Sequence, residues 1–217
     1  MTTATSKVDI CNLALDYLLQ TDEEGVTNID TPETPTEVVC GRWYDVARRA
    51  VLRKHPWNFA IKRAQLTEAV PAPLFGFNTA FNLPNDFLRL LTIQDNADLE
   101  IIPFPRFELE SRQILIDTDT NAASTLNIRY IFNQESVTVF DALFLDILAI
   151  ELATRIAYKF TSSNTDVQRL EALLAEKLGG ARSIDGQERP PIRKERSRAR
   201  TRRRLLGSNQ RSGIFFD

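Results

Sequence analysis

Few residues of this chain have the chemistry for catalysis, and their spacing does not assemble it. His55 is the only imidazole among 217 residues. A Ser-His-Asp triad would have to use it, but Pro56 beside it and its place at a helix end suit a structural cap. One histidine provides neither a metal-binding pair nor an HExxH motif. Cys11 and Cys40 form no CxxC and have no His or Cys companions, so zinc is not expected. Both fall on apolar helix faces and read as reduced packing thiols. Asp117 and Asp119 could imitate an acid pair, yet beside Thr118, Thr120 and Asn121 they make a turn. Glu23 and Glu24 have the same reading. Neither GxxxxGK[ST] nor GxGxxG occurs, so nothing announces a phosphate-cradling loop. The sequence predicts no enzyme, no cofactor and no metal centre.

Binding chemistry is better represented. Trp43, Trp57, Phe59, Phe75, Phe77 and Phe81 lie near Arg53, Lys54, Lys62 and Arg63, a mixture that could stack bases. Core packing suits these aromatics better, because the body is acidic and would repel a phosphate backbone. Residues 181–217 hold eleven Lys/Arg against four Asp/Glu, a net of +7, which leaves −9 on residues 1–180. The basic residues of this tail include Arg193, Arg196, Arg198, Arg200, Arg202, Arg203 and Arg204. Such a segment cannot bury a core alone and reads as an arm that orders on a partner. Nucleic acid, an acidic protein surface and a localisation signal all fit its charge. The terminal Ile214-Phe215-Phe216 favours a protein partner with a pocket to receive it.

The elements that must carry these residues are legible in outline. Ser6 caps a first helix over 7–20, with Val8, Cys11, Leu15 and Leu18 on its apolar side. Thr34, Pro35 and Glu37 start a second helix with a capping box and a proline in the first turn. Val39, Trp43, Val46, Ala47, Ala50 and Val51 make its buried face, and Pro56 stops it. Short strands are predicted over 58–66, 79–83, 87–93, 99–104, 106–110, 113–117 and 126–132. A third helix over 139–160 is very apolar. Asp141, Asp146, Glu151, Arg155 and Lys159 argue against a membrane span, and the last three read as a solvated stripe at four-residue spacing. A fourth helix follows Ser163-Asn164-Thr165 with Val167, Leu170, Leu173, Leu174 and Leu178 on one face, and Gly179-Gly180 is its expected stop. The N-terminal residues have no apolar core, so no signal peptide is expected and the chain reads as assembled in a cytoplasm.

The fold class is therefore α+β. Two N-terminal and two C-terminal helices form a four-helix bundle-like lobe (1–66 and 137–182). A mostly antiparallel β lobe (67–136) is inserted, and a basic C-terminal arm (183–217) extends from it.

In the first helix stands Cys11-Asn12-Leu13-Ala14-Leu15, and in the second Cys40, Trp43-Tyr44-Asp45 and Arg48-Arg49. His55-Pro56-Trp57-Asn58-Phe59-Ala60, Lys62-Arg63-Ala64 and Leu66 follow, then Phe81-Asn82-Leu83-Pro84-Asn85-Asp86 and Leu88-Arg89. In order and spacing, over about the first ninety residues, this resembles the head-to-tail adaptor family of short-tailed bacteriophages, the tail tubular protein A group. Leu19 stands where a glycine is common in that family. The resemblance implies a non-enzymatic virion protein that forms a ring, typically of twelve copies, under the portal. It would extend the DNA channel and provide the platform for the next tail or nozzle protein. Trp43, Pro56, Trp57, Asn58, Phe59, Leu83, Pro84 and Asp86 are the motif residues and imply a structural role. The arginine-rich arm lies outside the motif. Its docking on the portal, through the arginines above and Ile214, Phe215 and Phe216, is an expectation from composition. Non-specific contact with genomic DNA in the channel and the absence of a membrane partner complete the expected partners. A nucleic-acid-binding module using the arginine-rich tail is the alternative.

Overall fold

The structure is a computed structural model that describes residues 6–18, 25–94, 106–117 and 125–188. Both N-terminal helices start at reciprocal caps. Ahead of α1 (Lys7–Tyr17), Ser6 Oγ accepts from the Asp9 amide at 3.1 Å, and the Asp9 carboxylate accepts from the Ser6 amide at 3.0 Å. Ahead of α2 (Pro35–Lys54), Thr34 and Glu37 make the same exchange. These bonds satisfy amides that a helix start otherwise leaves without a partner. Glu37 also organises the connector before it. Oε1 accepts from the Thr27 and Asn28 amides at 2.9 and 3.0 Å and from the Thr27 hydroxyl, and Oε2 accepts from the Glu33 amide at 2.8 Å. The backbone amides, led by that of Thr27, hold its carboxyl far below the ordinary glutamate range. From α1, Asn12 exchanges two hydrogen bonds with the backbone of Val26, at 2.8 and 3.1 Å.

The buried face of α2 runs through Cys40, Tyr44, Ala47, Val51 and Leu52. Val46, expected on that face, is 45% exposed. It precedes Ala47 by one residue and so points about 100° away around the helix. Cys11 and Cys40 are both buried and free. The hydrogen bond with Cys40, and then burial, raise the Cys11 thiol far above its ordinary range, which suits a packing thiol and not a nucleophile.

A 3-10 turn at Val137–Val139 leads into α3 (Ala142–Thr161), capped by Asp141 and ended by Ser162 at φ 53°. Phe144, Leu148, Leu152, Ala153 and Ile156 are buried with α1 and α2 in one hydrophobic core. α4 (Asn164–Glu188) adds Leu170, Leu174, Leu178 and Ala181 to that core. It continues through Gly179 and Gly180, where a stop was expected. A glycine stop needs the left-handed backbone, and neither glycine adopts it. The buried seam carries on past them to Ala181, so the pair is a helical cost of about 1 kcal/mol each relative to alanine.

The strands form two small antiparallel sheets. β1 (Ile61–Thr67), β6 (Thr125–Phe132) and β3 (Phe87–Gln94) make one, with β6 in the middle. β2 (Thr79–Asn82), β5 (Gln113–Ile116) and β4 (Phe107–Glu110) make the other, with β5 in the middle. A 3-10 turn at Asn58–Ala60 precedes β1, so the predicted first strand begins at Ile61. The strand expected over 99–104 lies outside the described residues. β6 alternates as predicted: Leu126, Ile128 and Tyr130 join a second core with Phe81, Ile93, Ile114 and Ile116, while Ile131 faces the helical core. β4 and β5 meet at a two-residue turn where Ser111 and Arg112 both have positive φ, 43° and 64°. The architecture is α+β, with four helices and two antiparallel sheets among the described residues. No described helix is long and apolar enough to cross a membrane.

Candidate functional site

Pro56, Trp57, Asn58 and Phe59 lie where α2 gives way to the sheets. Pro56 disfavours helix at His55, which caps α2 in extended backbone, φ −143° and ψ 145°. His55 is buried, with its ring edge-on to Trp57 at 4.9 Å. Trp57 is buried too, and its Nε1 donates to the Val51 carbonyl at 3.2 Å. The Phe144 ring of α3 lies 5.2 Å from Trp57 and 5.0 Å from Phe59, which is also 5.5 Å from Phe140. These rings dock the entry to β1 against α3, with the edge-to-face geometry that aromatic pairs prefer. Asn58 is exposed between them. Trp43 is half-buried, with the Arg155 guanidinium 5.8 Å from its ring centre. The sequence placed Phe75 in this aromatic core as well, but it is 88% exposed.

Leu83, Pro84 and Asp86 form a second knot. Asp86 accepts from the Tyr130 hydroxyl at 2.9 Å and from Lys62 Nζ at 2.8 Å, and its carbonyl accepts from the Asn133 amide at 2.7 Å. Partial burial pushes the Asp86 carboxyl up, but Lys62 and Tyr130 outweigh it and hold the group below the ordinary aspartate range. The Pro84 carbonyl accepts from Arg112 at 2.8 Å, and the Leu83 amide donates to the Arg112 carbonyl at 2.9 Å. The 83–86 turn thus ties β1, β6 and the β4–β5 hairpin together. Lys62, two residues into β1, links this knot to the aromatic one.

Two charged residues central to the frame were not expected inside. Arg48 is 2% exposed. It donates to Asn133 Oδ1 at 3.1 Å, to the Gln134 carbonyl and to Asp45 at 2.9 Å, and it lies 3.7 Å from Glu135. Glu151 was expected on a solvated stripe, but it is 5% exposed. Lys54 and Arg155 cover it at 2.5 and 2.7 Å, so the four-residue spacing marks a shielded ion cluster. The signal for Arg48 was available: Tyr44, Arg48 and Leu52 follow helical spacing along the buried face. A third polar clasp joins α1, α3 and α4, where Asp146 accepts from the Tyr17 hydroxyl and pairs with Lys177 at 2.8 Å. Burial and then Asp146 push the Tyr17 hydroxyl up to about 12.

Chemically this arrangement holds parts together. Its carboxylates each face a cation, a hydroxyl or backbone amides at hydrogen-bond distance. Among the described residues no group of three His, Cys, Asp or Glu could hold a metal ion. Asp117 accepts from the Asn78 amide at 3.1 Å, across the ends of β2 and β5, and the turn expected to follow it lies outside the described residues. Asp119, Glu23 and Glu24 lie outside the described residues, as do Arg193, Arg196, Arg198, Arg200, Arg202, Arg203, Arg204, Ile214, Phe215 and Phe216 of the arm. No family model matches the chain, and no curated protein matches it in sequence.

Proposed function

We propose that this chain is a structural virion protein, a head-to-tail adaptor that forms a ring below a portal, extends the DNA channel and provides the platform for tail attachment. One observation carries this. Among the residues that give the resemblance to such adaptors, His55 caps a helix, Trp57 and Phe59 make ring contacts, and Arg48, Lys62 and Asp86 make ion pairs. A pattern kept for geometry suits a subunit whose work is to hold a shape. Helices from 1–66 and 137–182 would form the bundle-like lobe, and 67–136 the inserted β lobe. The basic arm, 183–217, whose first residues continue α4, would reach the portal. A copy number of twelve follows the resemblance. A closed ring needs one face of each subunit to meet a different face of the next.

The charge asymmetry, +7 on 181–217 against −9 on the rest, favours a second reading, a nucleic-acid-binding module. Deleting 189–217 separates the two. For the adaptor, portal binding collapses while the body keeps its circular dichroism and melting temperature. For the alternative, DNA affinity collapses and no portal contact is found. Native mass spectrometry and electron microscopy of the chain with its portal give the decisive observation, and a strict monomer in that mixture removes the ring.

A further inference from the structure

Residues 70–76 run Val-Pro-Ala-Pro-Leu-Phe-Gly, and their large apolar side chains point into solvent: Val70 is 93% exposed, Leu74 97% and Phe75 88%. Three such side chains in one short loop are more than scattered surface hydrophobicity. The loop is held at its base. Phe77 is buried under the Arg106 guanidinium, 4.8 Å from the ring centre, and Gly76 takes the turn at φ 84°. Pro71 and Pro73 restrict the backbone further, so little freedom is left to lose on docking.

The same subunit has a receptor of matching character. Among the described residues, Leu88, Leu90, Leu91, Phe107 and Leu109, on β3 and β4, line an open groove of about 560 Å3. Its volume is in the range of sites that enclose small apolar groups. A subunit cannot fill its own groove with its own loop. The groove takes the odd-numbered side chains of β4, Phe107 and Leu109, whereas Arg106, Glu108 and Glu110 flank the loop. Successive side chains of a strand point to opposite faces, so loop and groove lie on opposite sides of β4. Charge follows the same division. Exposed Arg53 and Arg89 border the groove, and Arg89 is fixed by its bond to the Arg53 carbonyl at 2.9 Å. Exposed Glu108 and Glu110 line the loop's side, exposed Glu68 stands two residues before the loop in sequence, and Arg106 is the one cation among the described lining residues.

We propose that residues 70–76 of one copy of this chain insert Leu74 and Phe75 into the β3–β4 groove of a second copy. Apolar side chains meet apolar walls, and the acidic rim meets the basic one. The contact is heterologous, because it pairs two different surfaces, so each copy can give one loop and accept another. It deepens the ring assignment by naming a contact that closes it, and it rests on that assignment. An anionic membrane is a poorer match for a loop flanked by Glu108 and Glu110.

The test uses the full chain with two single variants, Phe75→Cys and Leu109→Cys, under mild oxidation. Mixing the two should give a disulfide-linked pair. Each variant alone should give none, and a chain carrying both should give a ladder of multimers. No cross-link in the mixture, or a linked pair from Phe75→Cys alone, overturns the contact. The double variant Leu74→Asp/Phe75→Asp should keep the melting temperature and weaken self-association by at least about thirty-fold. Rings of unchanged size from that variant remove this contact and leave the ring standing. A linked pair from the mixture, with no ring formed by the unaltered chain and its portal, upholds the contact and removes the ring. Wild-type binding to phosphatidylserine vesicles that this variant loses would make the loop a membrane element and overturn the proposal.

Discussion

Among the helices, Arg48 and Glu151 are almost wholly buried and surrounded by Asp45, Asn133, Lys54 and Arg155. Beside the β2–β5–β4 sheet, Leu74 and Phe75 stand almost wholly in water. Each pair is in the environment its chemistry resists. Buried charge survives when every charged atom has a partner, and then it fixes geometry while offering little to an outside molecule. Exposed apolar side chains have no internal use and gain free energy only when something covers them. The helices hide these charges under partners, and the loop beside the sheet holds the most exposed large apolar side chains among the described residues.

The largest blow to the helical side is Phe144→Ala. Phe144 is fully buried and touches the rings of Trp57, Phe59 and Phe140. Its loss leaves a cavity and should cost about 3–5 kcal/mol in urea unfolding. A cost below about 1 kcal/mol would mean the rings are not the hub. Arg48→Met comes next, at about 2 kcal/mol, because the Gln134 carbonyl and Asn133 lose a charged donor. Raising the salt should barely change that difference, since the guanidinium is hardly exposed. A cost that vanishes at high salt would place Arg48 with ordinary surface charges.

Asp86→Asn probes the join between the two regions through pH. The folded carboxyl lies below its ordinary value, so its contribution is fully present above the ordinary aspartate range, about pH 4, and is lost as pH falls through the folded value. The variant should be less stable than wild type near neutrality, and the two unfolding curves should converge in acid. Parallel curves at all pH values would show that Lys62 and Tyr130 do not hold the charge. The smallest effect belongs to the loop. Leu74→Asp/Phe75→Asp should change stability by less than about 0.5 kcal/mol, because neither side chain is packed. A larger loss would erase the contrast.

What could be read from the sequence was local. The caps at Ser6 and Thr34 depend on residues three apart, and both helices start there. The alternation in β6 was visible for the same reason. Strand partners were not, because β1 pairs with β6 across some sixty residues and no local pattern encodes that choice. Burial failed where residue type overrode spacing. Val46 was put inside because it is apolar, and Glu151 outside because it is charged, although Glu151 falls four residues before Arg155 and opposite Lys54. Gly179 and Gly180 misled by composition, since a glycine ends a helix only when its backbone turns left-handed. The junction around Trp57 and Asp86 was legible as a group of residues. Its cation partners and the outward loop needed the fold.

The turn at Ser111 and Arg112 is a small feature with a disproportionate effect on parity. Both residues sit in left-handed backbone without being glycine, which costs about 1–2 kcal/mol apiece. The arm of Arg112 on the Pro84 carbonyl helps to keep this two-residue length in place. One residue more or less there, with the hairpin re-zipped on a new partner set, would turn β4 over. Glu108 and Glu110 would then look into the groove, and Phe107 and Leu109 would join the loop. The strand would trade its two surfaces without changing a single amino acid. Ser111→Asn with Arg112→Gly would relieve the backbone yet discard the tether, so it asks whether frame is kept by ease of turning or by being tied.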